Sequence, residues 1–553
     1  MMLEPKQITL EYLRSELIGR DTMIPTPFGS RRLIYADYVA SGRALGFLER
    51  HLHDHVLTTY ANTHTEDSFT GARSTHFAHE AAEYIKACLN ANEQFKIVFA
   101  GSGSTGAIKR LQEILGLAIS SPLRQRMLEV MTPEERPVVF VGPYEHHSNE
   151  VSWRESLAEV IEIPLCPKGQ IDLDALREAL TAPEFVGRKK IGSFSAASNV
   201  TGLLSDTRAI ARLLHAHGAL AFFDFAAAAP YVKIDMRPGR ADQLDAVFLS
   251  PHKFVGGPDT PGVLVFHESI YKLTSPSTAG GGTVTYVSSS EHRFTSDIEA
   301  REDAGTPAIV QKMRTAMAFW VKEQLGVPLI EAQEKSFISR AIARLRSNPN
   351  VQILGNLEAP RLAVFSFLIR CEGQYLHPRF VVRLLNDLFG IQSRGGCACA
   401  GPYGHALLNI DLEHSQRYMH SIQAGWEGIK PGWTRLNFNS FISESEFEFL
   451  LQAIEFLAKH GSRFLSLYEL DWHSGAWKHA ADRAHPSLFD SIGLDSNGRD
   501  QPALTRDENT EPDFMGYLEF ARTLANQLEP RAQAVPPEMI PTELEAELVY
   551  FRV

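Results

Sequence analysis

Two patterns of hydrophobic and polar positions alternate along the chain from about residue 31 to residue 270. Short apolar runs typical of buried strands recur there, and stretches of helical length separate most of them. The runs are Lys96–Ala100, Pro137–Val141, Val160–Pro164, Ile191–Ala196, Ala219–Phe225, Asp245–Ser250 and Gly262–His267. Among the helical stretches, Asp206–His217 is amphipathic and is followed by Gly218, a typical helix C-cap. This alternation predicts an α/β domain with a largely parallel sheet covered by helices on both faces.

The pattern changes outside this region. Residues 1–30 predict a short lead-in helix followed by a loop through Pro25, Pro27 and Gly29. After residue 310 the helices are longer and the strands shorter, and from 461 onward the sequence is polar with a helix predicted at Phe514–Leu528. We therefore predict a large domain at 31–320, a smaller α+β domain at 321–460 and a C-terminal extension at 461–553.

Composition narrows the classes of function. A chain of 553 residues predicts two or three domains, and a net charge of -12 argues against nonspecific nucleic-acid binding. The apolar stretches are too short to span a bilayer, and Met1–Arg20 contains no apolar segment typical of a signal peptide. Five cysteines in a chain of this length do not form a disulfide framework. These features predict a cytoplasmic protein that binds neither nucleic acid nor membrane.

One lysine follows a predicted buried strand directly, in the sequence Ser250-Pro251-His252-Lys253-Phe254. Burial disfavours the ammonium form of a lysine, and the neutral amine can then form a Schiff base. A solvated loop lysine is the alternative interpretation of this stretch by itself. The other strand ends decide between the two.

A glycine-rich turn, Gly101-Ser102-Gly103-Ser104-Thr105-Gly106, follows the first predicted strand and opens a helix. Backbone N–H groups at a helix start bind anions, and the helix dipole strengthens the interaction. The turn also fits the dinucleotide fingerprint, but the next predicted strand ends without the acidic residue that would hold a ribose. A phosphate monoester is the better prediction, and a structural glycine turn is the alternative.

Three further strand ends carry polar side chains: His146, Asn199 and Asp224. A carboxylate at the end of a buried strand needs a cationic or hydrogen-bonding partner, which the protonated nitrogen of a pyridine ring would supply. The imidazole of His146 can stack on an aromatic ring, and the amide of Asn199 can reach a ring oxygen or a substrate. No carboxylate or cysteine lies at ligand spacing from the His146-His147 pair, so we predict no metal. Together with Lys253 and the phosphate turn, these are the contacts that pyridoxal phosphate requires.

At these residues the sequence resembles the class V, fold-type I family of pyridoxal-phosphate enzymes, in its cysteine desulfurase and selenocysteine lyase branch. The resemblance covers residues 31–460 and implies a large domain with a mainly parallel seven-stranded sheet. It implies that Gly103, Ser104, Thr105, Ser250 and His252 contact the phosphate and that Lys253 bonds the cofactor. It also implies that His146 stacks on the ring and takes part in catalysis, and that Asn199 and Asp224 contact the cofactor.

Other segments extend the resemblance. The segment Tyr35–Gly42 is similar to the family's opening motif, whose Ala40 and Ser41 would lie near an amino-acid substrate. Glu302–Pro307 resembles a segment whose threonine, here Thr306, reaches the phosphate of the neighbouring subunit. The resemblance therefore implies a homodimer with shared sites.

The family's reaction uses a cysteine loop, which here reads Arg394-Gly395-Gly396-Cys397-Ala398-Cys399-Ala400-Gly401-Pro402. Its spacing places Cys399 at the nucleophile position, where a thiolate would attack the substrate sulfur, keep it as a persulfide and release alanine. Arg394 is close enough in sequence to favour the thiolate, and the resemblance also implies that Arg394 contacts the substrate. Arg435 matches the arginine that grips the substrate carboxylate in bidentate fashion. The resemblance thus implies removal of sulfur or selenium from L-cysteine or selenocysteine, with a sulfur-acceptor protein as partner.

Two departures from the family pattern leave alternatives open. Ala227 stands where the family usually places a glutamine that bonds the cofactor's ring oxygen, and a long segment, residues 403–432, separates the cysteine loop from Arg435. An aminotransferase, lyase or epimerase acting on another amino acid is therefore the second hypothesis. A cofactor-binding sulfur-relay partner without turnover is the third.

Overall fold

The computed structural model describes residues 8–397, 399–484, 487, 489, 504–507, 512–529 and 540–553. The chain divides into two compact units. The first comprises Met1–Ile18, Tyr38–Lys335 and Glu358–Leu362, and the second comprises Gly19–Asp37, Ser336–Leu357 and Ala363–Val553. The second unit is therefore built from three separate stretches of sequence. The domain boundaries expected from the sequence stay predictions.

Helices and strands follow one another in the order expected for an α/β chain. The helices are α1 (Leu10–Glu16), α2 (Gly46–His51), α3 (Phe69–Cys88), α4 (Gly103–Ile114), α5 (Ser121–Val130), α6 (His147–Arg154), α7 (Leu173–Thr181), α8 (Thr207–Ala216), α9 (Ile298–Arg301), α10 (Ile309–Leu325), α11 (Val327–Leu345), α12 (Pro378–Phe389), α13 (Gly401–Leu408), α14 (Leu412–Gln423), α15 (Glu444–His460) and α16 (Phe514–Gln527). The strands are β1 (Met23–Thr26), β2 (Gly29–Arg32), β3 (Ile34–Tyr35), β4 (Phe95–Ala100), β5 (Val138–Val141), β6 (Glu159–Glu162), β7 (Lys190–Ser195), β8 (Leu220–Asp224), β9 (Ala246–Leu249), β10 (Gly262–His267), β11 (Val284–Val287), β12 (His292–Phe294), β13 (Val351–Ile353), β14 (Val364–Cys371), β15 (Gln374–Leu376), β16 (Ile391–Gln392), β17 (Arg394–Gly396), β18 (Trp433–Asn437), β19 (Tyr468–Asp471), β20 (Ala476–His479) and β21 (Phe551–Arg552). Across the described residues, none of the helices is both long enough and apolar enough to traverse a bilayer.

The first unit contains a seven-stranded sheet in the order β4-β10-β9-β8-β7-β5-β6. Neighbours from β9 to β6 are parallel, and β10 runs antiparallel to both β4 and β9. Every apolar run predicted as a strand belongs to this sheet, which confirms the predicted fold class. The parallel strands end at one edge, where ligands of such sheets bind.

Helices cover this sheet with apolar side chains of helical spacing. Leu111 and Ile108 of α4 and Trp153 of α6 join Phe222 and Phe248 of the sheet in one buried cluster. Helix α8 confirms the predicted helix: Asp206 caps its start by accepting from the Ala209 N–H at 2.9 Å, and Gly218 follows it at φ 68°. The left-handed conformation favours glycine at this position.

The second unit is built around a mixed sheet in the order β17-β18-β14-β15-β21, with β13 also paired to β14. Its pairs are antiparallel except β15–β21, which are parallel. The prediction of a loop through Pro25, Pro27 and Gly29 is wrong for the residues that flank this turn. They form the antiparallel hairpin β1–β2, in which Pro25 pairs with Ser30 and Gly29 has a φ of 99°. A proline is tolerated there because a two-stranded hairpin leaves its outward edge without a ladder partner.

Residues near the end of the chain pack into the core of the second unit. Phe514 and Leu518 of α16 join the buried cluster, and the Phe514 ring stacks on Phe449 of α15 at 4.3 Å. This confirms the helix predicted at Phe514–Leu528. Strand β21 extends the sheet beside β15, so the last residues contribute to both a core and a sheet.

Candidate functional site

The glycine-rich turn and the residues after β9 lie against each other in the first unit. The Ser104 N–H, at the start of α4, donates to Ser250 Oγ at 2.8 Å. Gly103 has a φ of 55°, and a Cβ there would lie 2.7 Å from His252 Cε1 and 2.8 Å from Ser250 Oγ. A Cβ on Gly262 would lie only 1.8 Å from the Gly103 carbonyl oxygen. Glycine is thus required at both positions, Gly103 and Gly262. The close approach that it permits brings together predicted phosphate contacts from two separate strand ends.

Lys253 ends a single 3-10 turn, Pro251–Lys253, which follows β9 directly. The opening motif packs on this turn: the Gly42 N–H donates to the His252 carbonyl oxygen at 2.8 Å. A Cβ on Gly42 would lie 1.8 Å from the Phe254 carbonyl oxygen. Ala40 and Ser41, both half-buried, are therefore fixed beside the lysine turn by a close backbone contact that glycine permits.

The electrostatics of the lysine turn are set by burial. Burial, and after it the adjacent charge of Lys253, lower the pKa of His252 to about 4. His252 is consequently a neutral imidazole across the physiological pH range. It can offer one ring N–H to an anion without adding charge.

Asp224 ends β8 and is only 3% exposed. Burial raises its pKa, while the Ala226 N–H, the charge of Lys253 and a hydrogen bond from Ser104 oppose the rise. The Ala226 N–H donates to Asp224 Oδ1 at 2.8 Å. The predicted strand-end carboxylate therefore lies within electrostatic reach of the predicted Schiff-base lysine. Ala227, at the position of the family's glutamine, is also buried.

His146 is the N-cap of α6, and its Nδ1 accepts from the Ser148 N–H at 3.1 Å. Ser148 Oγ in turn lies 2.6 Å from Thr105 Oγ1, which links the imidazole to the glycine-rich turn. The cap fixes the orientation of the ring, because Nδ1 is committed to the backbone.

Glu145 is a buried residue whose role the sequence reasoning missed. Its carboxyl accepts from the Ser195 N–H at 2.9 Å, from Ser195 Oγ at 2.6 Å and from Asn149 Nδ2 at 2.7 Å. Burial raises its pKa to about 7 against these hydrogen bonds. Because it ties the ends of β5 and β7, it positions the loop that carries His146. Its place directly after a buried strand was the available signal.

Asn199 and Thr306 differ in their exposure to solvent. Asn199 is buried in the loop after β7, at the sheet edge where the predicted cofactor contacts gather. Thr306 is exposed and accepts a hydrogen bond from Asn62 Nδ2 at 3.4 Å. Its position on the surface of the first unit agrees with a contact to another subunit, which stays a prediction.

Arg394 and Arg435 are brought together in the second unit. They face each other as a Cα pair on the antiparallel strands β17 and β18. Asp37 joins both: its Oδ2 accepts from Arg394 Nε at 3.1 Å and its Oδ1 from Arg435 Nη2 at 2.9 Å. Burial lowers the pKa of Arg435, and Asp37 opposes that change. The predicted substrate arginine is thus a buried cation, 3% exposed, held in place by one carboxylate.

Cys399 is exposed on the loop between β17 and α13. It lines a cavity of about 190 Å³ together with Cys397 and Arg394. Arg379 and Lys430 line the same cavity, and sequence reasoning missed both because nothing in the local pattern marks them. Cys399 also lies within electrostatic reach of Arg435. The predicted nucleophile therefore lies in a cationic environment within its own unit.

Comparison with known proteins assigns the chain that carries the lysine turn and the cysteine loop to one family. The family model described as "Aminotransferase class-V" matches residues 34–418, about 70% of the chain. The chain belongs to the class-V aminotransferase family. This confirms the family expected from the sequence, whose members are pyridoxal-phosphate-dependent enzymes. The match includes the lysine turn, the glycine-rich turn and the cysteine loop.

Curated relatives carry names from one branch of this family. A "Probable cysteine desulfurase" from Staphylococcus aureus (strain N315) is 26% identical over 392 residues, which are 70% of this chain and 88% of the relative. A "Cysteine desulfurase" from Synechococcus elongatus is 28% identical over 392 residues, 70% of this chain and 57% of that relative.

Solved structures show the same fold. A cysteine desulfurase from Thermococcus onnurineus NA1 superposes with a TM-score of 0.64 at 22% identity, covering 83% of this chain and 99% of that one. The cysteine desulfurase CsdA from Escherichia coli gives a TM-score of 0.61 at 21% identity, covering 81% and 98%. Nearly the whole of each neighbour is matched, so this chain contains their fold and adds residues to it.

Proposed function

We propose that this chain is a pyridoxal-phosphate-dependent cysteine desulfurase, which takes sulfur from L-cysteine onto Cys399 and releases alanine. The observation that carries the proposal is the placement of Cys399 in one cavity with Arg394, in a chain of this family. The names of the relatives support the same activity.

The residues around Lys253 fit the cofactor. Gly103 leaves open the space that a side chain would fill between Ser250 and His252, where a phosphate can accept from Ser104, Thr105 and Ser250. Asp224 is a buried carboxylate whose raised pKa would be relieved by a cationic partner, and a pyridinium N–H is one. His146 would lie on the ring, and Asn199 would reach its oxygen. Thr306 would contact the phosphate held by a second copy of the chain.

Pyridoxal phosphate, when bound, supplies an electron sink for the bond that breaks at the substrate. Lys253 would hold the cofactor covalently and then move the α-proton of the substrate through its Nζ. Arg435 would bind the substrate carboxylate through paired N–H donors, with Arg394 beside it and Asp37 fixing both guanidinium groups. Ala40 and Ser41 would border the substrate from the opening motif.

Cys399 Sγ, as a thiolate, would attack the sulfur of the bound cysteine. The new S–S bond forms as the substrate C–S bond breaks, and its electron pair returns to the carbon that takes up a proton to become alanine. The product on the protein is a persulfide at Cys399. An exposed thiol in a cavity lined by cationic side chains suits this step, because the thiol is accessible and positive charge stabilises the persulfide anion that forms.

The test compares the cofactor-loaded protein with two cysteine variants. With L-cysteine and a reductant, we expect the wild-type chain to form alanine and sulfide in equal amounts. Cys399→Ala removes both products, whereas Cys371→Ala, a half-buried thiol elsewhere in the second unit, leaves both unchanged. If Cys399→Ala desulfurates at the wild-type rate, the assignment of the nucleophile is wrong. Selenocysteine in the same assay tests the wider substrate range.

Ala227 favours a second candidate. A buried alanine at the position of the family's glutamine changes the surroundings of the cofactor's ring oxygen, and an aminotransferase, lyase or epimerase acting on another amino acid would tolerate this change. Such an enzyme would turn over its substrate equally well with Cys399→Ala. It would also be insensitive to thiol alkylation.

A further inference from the structure

The cysteine loop carries a second thiol that the desulfurase reaction does not use. Cys397 and Cys399 are separated by one residue and line the same cavity of about 190 Å³. Residues two apart in a turn have Cα atoms about 5–7 Å apart, which overlaps the range of about 4.4–6.8 Å spanned by disulfides. The Cα separation expected at this spacing therefore permits a disulfide between the two cysteines.

Both ends of this short loop are anchored. On one side, Gly396 pairs with Trp433 in the β17–β18 ladder. On the other, Ala400 is fully buried, and its N–H donates to the Cys397 carbonyl oxygen at 3.2 Å. This hydrogen bond closes a turn that contains Cys399.

The backbone of Cys399 is strained in a way that glycine would relieve. Its φ of 56° lies in the left-handed region, which is unfavourable for a non-glycine residue. The neighbouring positions Gly395 and Gly396 show that glycine is used freely in this loop. A thiol held at a strained position beside a second thiol indicates that the pair has a function.

The cavity favours sulfur anions. Arg379, Arg394 and Lys430 line it, and its described lining contains no carboxylate, although Asp37 pairs with Arg394 and Glu427 with Lys430 from outside the lining. Positive charge beside the two thiols suits hydrosulfide as a leaving group, because hydrosulfide is an anion.

We propose that Cys397 is a resolving thiol, which releases the sulfur of the Cys399 persulfide as free sulfide; this rests on the proposed function. Cys397 Sγ, as a thiolate, attacks Cys399 Sγ. A Cys397–Cys399 disulfide bond forms, and the bond from Cys399 Sγ to the outer sulfur breaks. The outer sulfur gains two electrons and leaves as hydrosulfide, and each cysteine sulfur is oxidised by one electron. No external oxidant is needed, and a dithiol reductant restores both thiols before the next turnover.

A single-turnover experiment tests this step on the full, cofactor-loaded chain. The protein is reduced, freed of reductant under anaerobic conditions and given half an equivalent of L-cysteine per subunit. Alanine, sulfide and the intact mass under non-reducing conditions are then measured. We expect one sulfide for each alanine and a species lighter by about 2 Da, the two hydrogen atoms lost on disulfide formation.

The variants separate this proposal from its basis. Cys397→Ala and Cys397→Ser should form alanine, keep a persulfide heavier by about 32 Da, the mass of one sulfur atom, and release sulfide only when a dithiol is added. Cys371→Ala should behave as wild type. If the wild-type chain itself keeps the 32 Da adduct and releases no sulfide, or carries the adduct on Cys397, the resolving role is overturned while the desulfurase stands. Absence of alanine overturns both.

Discussion

The contact between Gly42 and the turn that carries Lys253 provides a sharp test of the candidate site. In Gly42→Ala the new Cβ would lie 1.8 Å from the Phe254 carbonyl oxygen, and Cβ contacts under 3.0 Å essentially never occur. The carbonyl oxygen belongs to the backbone and the Cβ is attached directly to the backbone, so the opening motif or the lysine turn must move by about 1 Å or more. A displacement of about 1 Å in a catalytic group costs on the order of 100-fold in rate.

We therefore expect kcat/KM for alanine formation to fall about 100-fold in Gly42→Ala, with weaker binding of pyridoxal phosphate. The rate is measured with saturating cofactor, and cofactor affinity is measured separately by titrating the absorbance of the protein-bound imine. Gly281→Ala is the matched control, because a Cβ there meets nothing within 4 Å. If Gly42→Ala keeps cofactor affinity and rate within threefold of Gly281→Ala, the opening motif does not position the lysine turn, and this reasoning is refuted.

Three further predictions concern the second unit. Asp37→Asn leaves the buried Arg435 cation without its carboxylate and should lower the free energy of unfolding, measured with urea, by about 3–5 kcal/mol. The control Asp174→Asn removes one carboxylate of an exposed ion pair and should lower it by less than about 1 kcal/mol. Arg435→Lys keeps the charge but loses the bidentate geometry, so KM for L-cysteine should rise at least about tenfold with a smaller change in kcat; an unchanged KM would show that the substrate carboxylate binds elsewhere. Burial lowers the pKa of His377 from 6.5 to about 3, so its contribution to stability is complete above pH 6.5 and is lost as the pH falls towards 3. Urea unfolding across this range should show a smaller acid loss in His377→Gln than in wild type; equal losses would assign the effect to another group.

The parts of the site that follow buried strands could be predicted from the sequence. Asp224, Lys253 and the turn at Gly103 each come directly after an apolar run, and the parallel arrangement brings such strand ends to one edge. The runs are readable because a strand buried on both faces is almost continuously apolar, as in β5 and β9. The local sequence pattern thus predicted the fold class, and it also predicted that these residues gather at one edge of the sheet in the first unit.

The second unit contains strand pairings that the local sequence pattern does not predict. Strand β3 pairs with β16, and β21 pairs with β15, although each pair is far apart in the sequence. Such pairings depend on which surfaces meet after the chain has collapsed, and no periodicity within two or three residues specifies a partner. The hairpin β1–β2 was missed for the same reason, since prolines and a glycine dominate its local signal.

Asp37 is a further residue whose role depends on the fold, and its charge balances part of the charge of two arginines. It lies more than 350 residues from both Arg394 and Arg435, so only the fold reveals that one carboxylate is shared between two guanidinium groups. The three side chains together carry one net positive charge. A single further carboxylate would neutralise that charge. Under the proposed function, this charge would match an amino acid that presents one carboxylate here, and it would disfavour neutral ligands, which leave the buried charge uncompensated.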